Sequence, residues 1–182
     1  MSEKAARHLI VAVFGTQTGA EAARKALRAS RDEKLIGISA STAVQKDEKG
    51  QIHFKDTGMS AGKGAVEGSI LGAAVGVLTG GTALALGAAG ALVGGLVGKR
   101  KKESSVEEQR LNQLTASLVP GSSALIVVMQ PGWGVVVEKE LQGMGADLFT
   151  ADIPASVDQH LDASQEAAYA ALLSQMKHAE NG

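Results

Sequence analysis

Short apolar runs alternate with amphipathic segments along most of this 182-residue chain. Residues 8–14 (HLIVAVF) are apolar and rich in β-branched side chains, as are residues 122–130 (SSALIVVMQ), and both runs predict buried strands. After each run comes a segment with apolar residues at helical spacing and then a more alternating stretch. The pattern therefore predicts two β-α-β units, at 8–46 and 122–153.

Further elements lie between and after these units. A turn at 47–50 leads into a short strand at 51–56, and a helix with a leucine stripe is predicted at 106–118. An alanine-rich amphipathic helix is expected from residue 156 onward. Two β-α-β units in one chain favour a single four-stranded antiparallel sheet with helices on one face, an α+β fold of the ferredoxin-like type.

The predicted domain is discontinuous, because a glycine- and alanine-rich segment interrupts it. The α+β domain comprises 8–56 and 106–178, and residues 57–105 form the insertion. No charged side chain occurs between residues 68 and 98. The insertion is predicted to be a helical hairpin with arms at 64–79 and 82–98.

Glycines recur along both arms at helical spacing. They are Gly64, Gly68, Gly72, Gly76 and Gly80 in the first arm, and Gly87, Gly90, Gly94 and Gly98 in the second. A glycine inside a helix costs about 0.5–1 kcal/mol relative to alanine, so nine of them indicate helices packed closely against one another. Such faces are typical of helices in lipid. Val75 and Leu78 point away from the glycine face, and other aliphatic residues there are expected to be nearly silent.

Cations flank the hairpin and bear on its location. They are Lys63 before the first arm, and Lys99, Arg100, Lys101 and Lys102 after the second. Cations at the ends of apolar helices favour the cytoplasmic side of a membrane. Each arm is about 24–26 Å long, which is short for a bilayer core of about 30 Å.

Two functional interpretations follow, and both include self-association. In the first, the hairpin inserts at the inner membrane or its cytoplasmic face, with the globular domain in the cytoplasm and the lipid bilayer as a second partner. In the second, the protein is a soluble structural homo-oligomer, a particle or filament whose hairpins share an apolar core. Detergent dependence during size-exclusion chromatography separates the two.

Composition and motifs favour a protein without catalytic activity. The net charge of −1 and the small number of aromatic residues give no case for nucleic-acid binding, and the absence of cysteine excludes thiol chemistry and disulfides. GMSAGKGA (58–65) lacks the spacing and the hydroxyl of a phosphate loop. His53 with Asp47 and Asp56 is at most a weak metal cluster. We therefore expect no catalytic residue, cofactor, metal or small-molecule substrate.

The succession of motifs resembles a known family. A hairpin with Lys46, Asp47, Gly50, His53 and Lys55 precedes the glycine-rich arms, and PGSSALIVV (120–128) follows them. In this order, over about residues 8–153, the chain resembles a bacterial family of predicted membrane proteins, domain of unknown function 1269. The resemblance implies a ferredoxin-like domain carrying a glycine-zipper hairpin at the inner membrane. It transfers no catalytic residue, and a role in envelope stress or membrane organisation is a hypothesis.

Overall fold

The strands and helices follow the predicted order along the chain. The computed structural model describes residues 5–32, 37–55, 74–76, 78, 105–155, 172 and 174–178. Its elements are β1 (Ala5–Phe14), α1 (Gly19–Asp32), β2 (Ile38–Lys46), β3 (Ile52–Lys55), α2 (Ser105–Ser117), β4 (Ser123–Met129), a 3-10 turn (Pro131–Trp133), α3 (Gly134–Gly143), β5 (Asp147–Pro154) and β6 (Lys177–His178).

These strands form one six-stranded sheet in the order β3-β2-β4-β1-β5-β6, and all its pairings are antiparallel. The two most apolar strands, β1 and β4, lie side by side at the centre. The two β-α-β units are therefore interleaved, because β1 lies between the two strands of the second unit. The α+β class with an antiparallel sheet is confirmed.

The sheet is wider than the predicted four strands. Strand β3 extends one edge, as the predicted hairpin requires, and β6 extends the other edge. The prediction of helix from residue 156 onward is wrong at its C-terminal end, where Lys177 and His178 pair with Thr150 and Phe149. This strand depends on hydrogen bonds to β5, which helical periodicity alone does not reveal.

The turn between β2 and β3 is fixed by Asp47. Its carboxylate accepts hydrogen bonds from the backbone N–H groups of Lys49 at 2.9 Å and Gln51 at 2.8 Å. The His53 ring lies 2.8 Å from the other carboxylate oxygen. Gly50 has φ +81°, a conformation that favours glycine, at the tip of this turn. The hydrogen bond with His53 and the backbone hydrogen bonds lower the pKa of Asp47, with burial acting in the opposite direction.

Both faces of the sheet are buried, whereas the sequence predicted helices on one face only. The α1–α3 face is formed by alternate strand residues packed against the two helices of the β-α-β units: Ile10, Ala12, Phe14, Ala20, Ala23, Leu27, Ala43, Leu125, Val127, Met129, Val137, Leu141, Ala146 and Leu148. The intervening strand residues point to the opposite side, as the two-residue period of a strand requires.

That opposite side is named here the arm face. It comprises Leu9, Val11, Val13, Ala40, Val44, Ala124, Ile126, Val128, Phe149, Ala151 and Ile153 from the sheet, covered by Ala74, Val75, Leu78, Leu114, Leu118, Leu172 and Met176. The covering side chains come from three separate parts of the chain, including the first glycine-rich arm.

Candidate functional site on the arm face

The described part of the first glycine-rich arm lies in the hydrophobic core. Ala74–Gly76 and Leu78 are helical, and Ala74, Val75 and Leu78 are 1%, 7% and 0% exposed. They belong to the same cluster as the central strands β1 and β4. The expectation that substitutions at Val75 and Leu78 are nearly silent overlooked this burial: the two side chains point away from the glycine face but pack in the core.

Gly76 is buried on a different side of the same helical turn. Successive residues of an α-helix are rotated by about 100° around its axis. Viewed down this axis, Ala74, Val75 and Leu78 lie on one side of the helix, and Gly76 points roughly 150° away from their mean direction. Both sides of this turn are therefore buried within the single chain.

Most of the predicted packing and flanking residues lie outside the described part of the chain. Of the nine glycines, the structure describes Gly76 alone, and Gly64, Gly68, Gly72, Gly80, Gly87, Gly90, Gly94 and Gly98 fall outside it. The same holds for Lys63, Lys99, Arg100, Lys101 and Lys102. In the ranges given above, no helix has the length and apolar character needed to cross a bilayer.

The arm face also contains a buried hydroxyl without a hydrogen bond. Thr42 on β2 is 2% exposed, and its Oγ1 has no hydrogen-bond partner among the residues that the structure describes. It lies between Ala40 and Val44 on the side of the strand that carries these two residues. Burying a hydroxyl without a hydrogen bond costs about 1–3 kcal/mol. Thr42 is therefore expected to lower the free energy of unfolding relative to an apolar residue of the same shape.

On the opposite face the structure brings together three ionisable residues that are far apart in the sequence. The Nδ1 atom of His8 lies 2.6 Å from Asp152 Oδ1, and its Nε2 atom lies 2.7 Å from Glu138 Oε1. Because a neutral imidazole has one N–H group, the ring can donate to both carboxylates only when it carries two. Gly134 makes room for the ring, since a Cβ atom there would lie 2.8 Å from it.

The sequence patterns did not indicate this bridge. The one available signal was a polar residue, His8, at the beginning of the apolar run 8–14. Its partners could not be identified, because Asp152 is brought opposite His8 by the β1–β5 register, and Glu138 by the packing of α3. Both ring nitrogens are occupied by carboxylates, which makes the cluster a structural bridge between β1, α3 and β5.

Two other histidines are paired in the same simple way. His53 contacts Asp47, and His178 lies 2.6 Å from Asp147 while stacking on Phe149 at a centroid distance of 4.6 Å. Within the part of the chain that the structure describes, no group of three or more His, Asp or Glu side chains has the arrangement of a metal site. Asp56, the third residue of the weak cluster, lies outside the described residues.

Trp133 ends the 3-10 turn that leads into α3. Its half-buried ring contacts the α1–α3 face, and a Cβ atom at Gly37 would lie 2.7 Å from it.

The family comparison covers the second half of the fold. Its match runs over residues 65–166, from the glycine-rich arms through β5, and the segment from β1 to β3 lies outside it. No curated protein and no solved structure matches the chain significantly. The matching model describes a protein of unknown function (DUF1269), and because the match covers more than half of the chain, the chain belongs to this family.

Proposed function

We propose that this chain is a non-enzymatic structural protein that self-associates through the glycine face of its first arm. The proposal is supported by the repeat of glycines along the arm and by the position of Gly76, which lies on the side of the helix away from Ala74, Val75 and Leu78. Glycine at this position lets a second backbone approach closely, a contact that a larger side chain would prevent. Copies of the arm offer more small-residue surface than one hairpin can occupy.

The proposed architecture is a ferredoxin-like domain with the hairpin inserted at 57–105. The order β2-β4-β1-β5 among the four longer strands supports it, as do α1 after β1 and α3 after β4. In this arrangement β3, the arms and α2 all lie in the connection between β2 and β4. The insertion then returns to cover the arm face of the domain that carries it.

Burial of the arm on the sheet favours assembly over lipid insertion of the same residues. Leu78 is fully buried among sheet side chains, and one side chain cannot face lipid and the sheet simultaneously. Association between copies would therefore use the stripe of glycines, since Ala74, Val75 and Leu78 already pack on the sheet. The contact between copies would be made by close backbone packing rather than by large apolar side chains.

The test is Gly76→Leu, measured by sedimentation velocity and native mass spectrometry. Overpacking a close contact costs about 1–3 kcal/mol, so we expect the oligomer to dissociate to smaller species. Gly143→Leu is the matched control, because Gly143 is also helical and a Cβ atom there meets nothing within 4 Å. It should leave the assembly unchanged.

Gly76→Leu could lose its oligomers because the protein unfolds, and Gly76→Ala distinguishes this outcome from a loss of association. This change adds one methyl group and should weaken association while the circular dichroism spectrum stays that of the parent. A Gly76→Leu protein with the mass distribution of the parent would contradict the proposal.

The second candidate function is attachment to a membrane, which the uncharged segment 68–98 and its cationic flank favour. Here the hairpin would lie at the inner membrane or its cytoplasmic face, and the protein would act in envelope stress or membrane organisation. Neutralising Lys99, Arg100, Lys101 and Lys102 to glutamine should abolish flotation with vesicles of phosphatidylcholine and phosphatidylglycerol. The same variant should keep the parent's oligomer mass. Flotation that is weak in the parent, or unaffected by the substitutions, would exclude this candidate.

A further inference from the structure

An open cleft lies between α1 and β2, at the edge of the α1–α3 face. The cleft is shallow: its space is about 240 Å³ with open solvent included, and the enclosed part is about 10 Å³, room for one water-sized group. The cleft is lined by Arg24, Leu27, Arg28, Ile38, Ser41 and Leu125. Leu27 and Leu125 are almost fully buried and form an apolar floor, whereas the other lining residues include two arginines and a serine.

Arg24 forms a fixed part of the wall. Its side chain is 9% exposed, and its Nε and Nη2 atoms donate to the two carboxylate oxygens of Glu21 at 3.0 and 3.2 Å. A paired, two-hydrogen-bond contact of this kind holds the planar guanidinium in one orientation. The negative charge of Glu21 is thereby offset by Arg24, so Glu21 does not neutralise the positive charge of Arg28.

Arg28 and Ser41 face the cleft without competing partners. Arg28 follows Arg24 by about one helical turn and is exposed, and Ser41 is half-buried on β2. Neither side chain makes a hydrogen bond or ion pair within the described part of the chain. Arg24 and Glu21 neutralise each other. The remaining charge at this site is the positive charge of Arg28, and Ser41 supplies a hydroxyl donor.

We propose that this cleft binds a phosphate-bearing anion. A guanidinium donates through a planar fork that matches phosphate oxygens, and a neighbouring hydroxyl can donate to a third oxygen. The shallow apolar floor suits a head group that enters with one phosphate and leaves the remainder of the molecule in solvent. The phosphate can belong to a soluble phosphate ester or to a lipid head group, and the two sources share this chemistry.

The test is a titration of the full-length protein with inorganic phosphate at constant ionic strength, followed by ¹H–¹⁵N NMR of α1 and β2. We expect saturable shifts at the cleft with phosphate and none with chloride. Arg28→Gln should weaken the apparent affinity about tenfold or more, because a hydrogen bond to a charged group contributes about 1.5–3 kcal/mol. Ser41→Ala should weaken it less.

Lys25→Gln is the matched control. It removes the same charge from an exposed position of the same helix that does not line the cleft, and it should change the affinity by less than about twofold. Equal losses in Arg28→Gln and Lys25→Gln would overturn the proposal, because they would reflect the general charge of α1. Absence of saturable shifts would overturn it as well.

Vesicles identify the source of the phosphate. If the ligand is a lipid head group, flotation with vesicles containing phosphatidylglycerol should fall in Arg28→Gln and persist in Lys25→Gln. If the ligand is a soluble ester, vesicles should produce no shifts at the cleft while phosphate still does. The cleft lies on the opposite face of the sheet from the arm, so these results are independent of those from Gly76→Leu.

Discussion

The two faces of the sheet are buried to a similar extent but are covered in different ways. The α1–α3 face is covered mainly by helices that follow β1 and β4 directly along the chain. The arm face is covered by α2, by the turn around Ala74–Leu78, and by Leu172 and Met176 near the C-terminus. The α1–α3 face is thus covered by helices adjacent in sequence to the strands they cover, and the arm face is covered by segments distant in sequence.

Polar groups show the same difference. On the α1–α3 face, Ser123 Oγ accepts from the backbone N–H of Ala20 at 3.0 Å and donates to the carbonyl of Thr16 at 2.6 Å. This hydroxyl serves an N–H group at the beginning of α1, which has no partner within the helix. On the arm face, the Thr42 hydroxyl is buried with no hydrogen-bond partner in the described part of the chain. The two buried hydroxyls therefore differ: Ser123 makes two hydrogen bonds and Thr42 makes none with the described residues.

The largest expected effect tests whether the arm is an integral part of the core. Leu78 on the arm and Leu141 on α3 are both fully buried, one on each face. Leu78→Ala and Leu141→Ala should each lower the free energy of unfolding by about 2–5 kcal/mol, measured by chemical denaturation. A loss below about 0.5 kcal/mol for Leu78→Ala alone would mean that the arm contributes little to the stability of the sheet.

The next effect concerns the His8 bridge on the α1–α3 face. Gly134 has helical torsion angles, φ −51° and ψ −57°, which alanine also adopts. The added methyl group would nevertheless lie 2.8 Å from the His8 ring, and that ring is held by two carboxylates. Gly134→Ala should therefore destabilise the protein by about 1–3 kcal/mol.

A double-mutant cycle supplies the control for this contact. In a His8→Ala background the ring is absent, so Gly134→Ala should become neutral or stabilise the helix by up to about 1 kcal/mol. If the cost of Gly134→Ala is the same in both backgrounds, the ring is not what requires glycine at this position.

Removing the buried hydroxyl of each face should change the free energy of unfolding by a smaller amount, and in opposite directions on the two faces. Thr42→Val removes an unpaired hydroxyl with little change of shape and should raise the free energy of unfolding by about 1 kcal/mol. Ser123→Ala removes two hydrogen bonds and should lower it by about 1–2 kcal/mol. Thermal and chemical denaturation of both variants measure the difference. Destabilisation by Thr42→Val would show that its hydroxyl has a partner in solution.

The smallest effect lies at the β2–β3 turn, on the edge of the sheet. The hydrogen bond with His53 and those from Gln51 and Lys49 lower the pKa of Asp47 from its ordinary value of 3.8. Ionised Asp47 therefore contributes stability above pH 3.8, and this contribution is lost as the pH falls through the lower folded-state pKa. Denaturation of the parent and Asp47→Asn should differ at pH 6, and the difference should shrink on acidification below pH 3.8. A constant difference across this range would contradict the assignment.

Much of the sheet and both helices of the α1–α3 face could be predicted from the sequence. The apolar runs at 8–14 and 122–130 correspond to β1 and β4, and the segments at 18–30 and 133–145 correspond to α1 and α3. These elements have a clear period of their own, so their type does not depend on distant contacts. The hairpin between β2 and β3 was likewise predicted, from its turn residues.

The candidate site was predicted only in part. Glycine spacing predicts that the arm packs closely, and this stays a prediction, because eight of the nine glycines lie outside the described residues. Spacing could not show what covers the other side of the helix. Ala74, Val75 and Leu78 are apolar, and in sequence they suit lipid, another subunit or the chain's own sheet equally well. The His8 bridge could not be predicted, because its three residues depend on strand register and helix packing.

The sequence by itself determined the type of most elements, through the periods of apolar residues, and the glycine stripe, through its spacing. The tertiary structure decided what those elements cover: the pairing of β1 with β4 and β5, the addition of β6, and the packing of Leu78 on the arm face. The physical reason is range. Periodicity and turn chemistry act over a few residues, whereas burial of an apolar face can be satisfied by any segment that fits, and only the folded chain selects one.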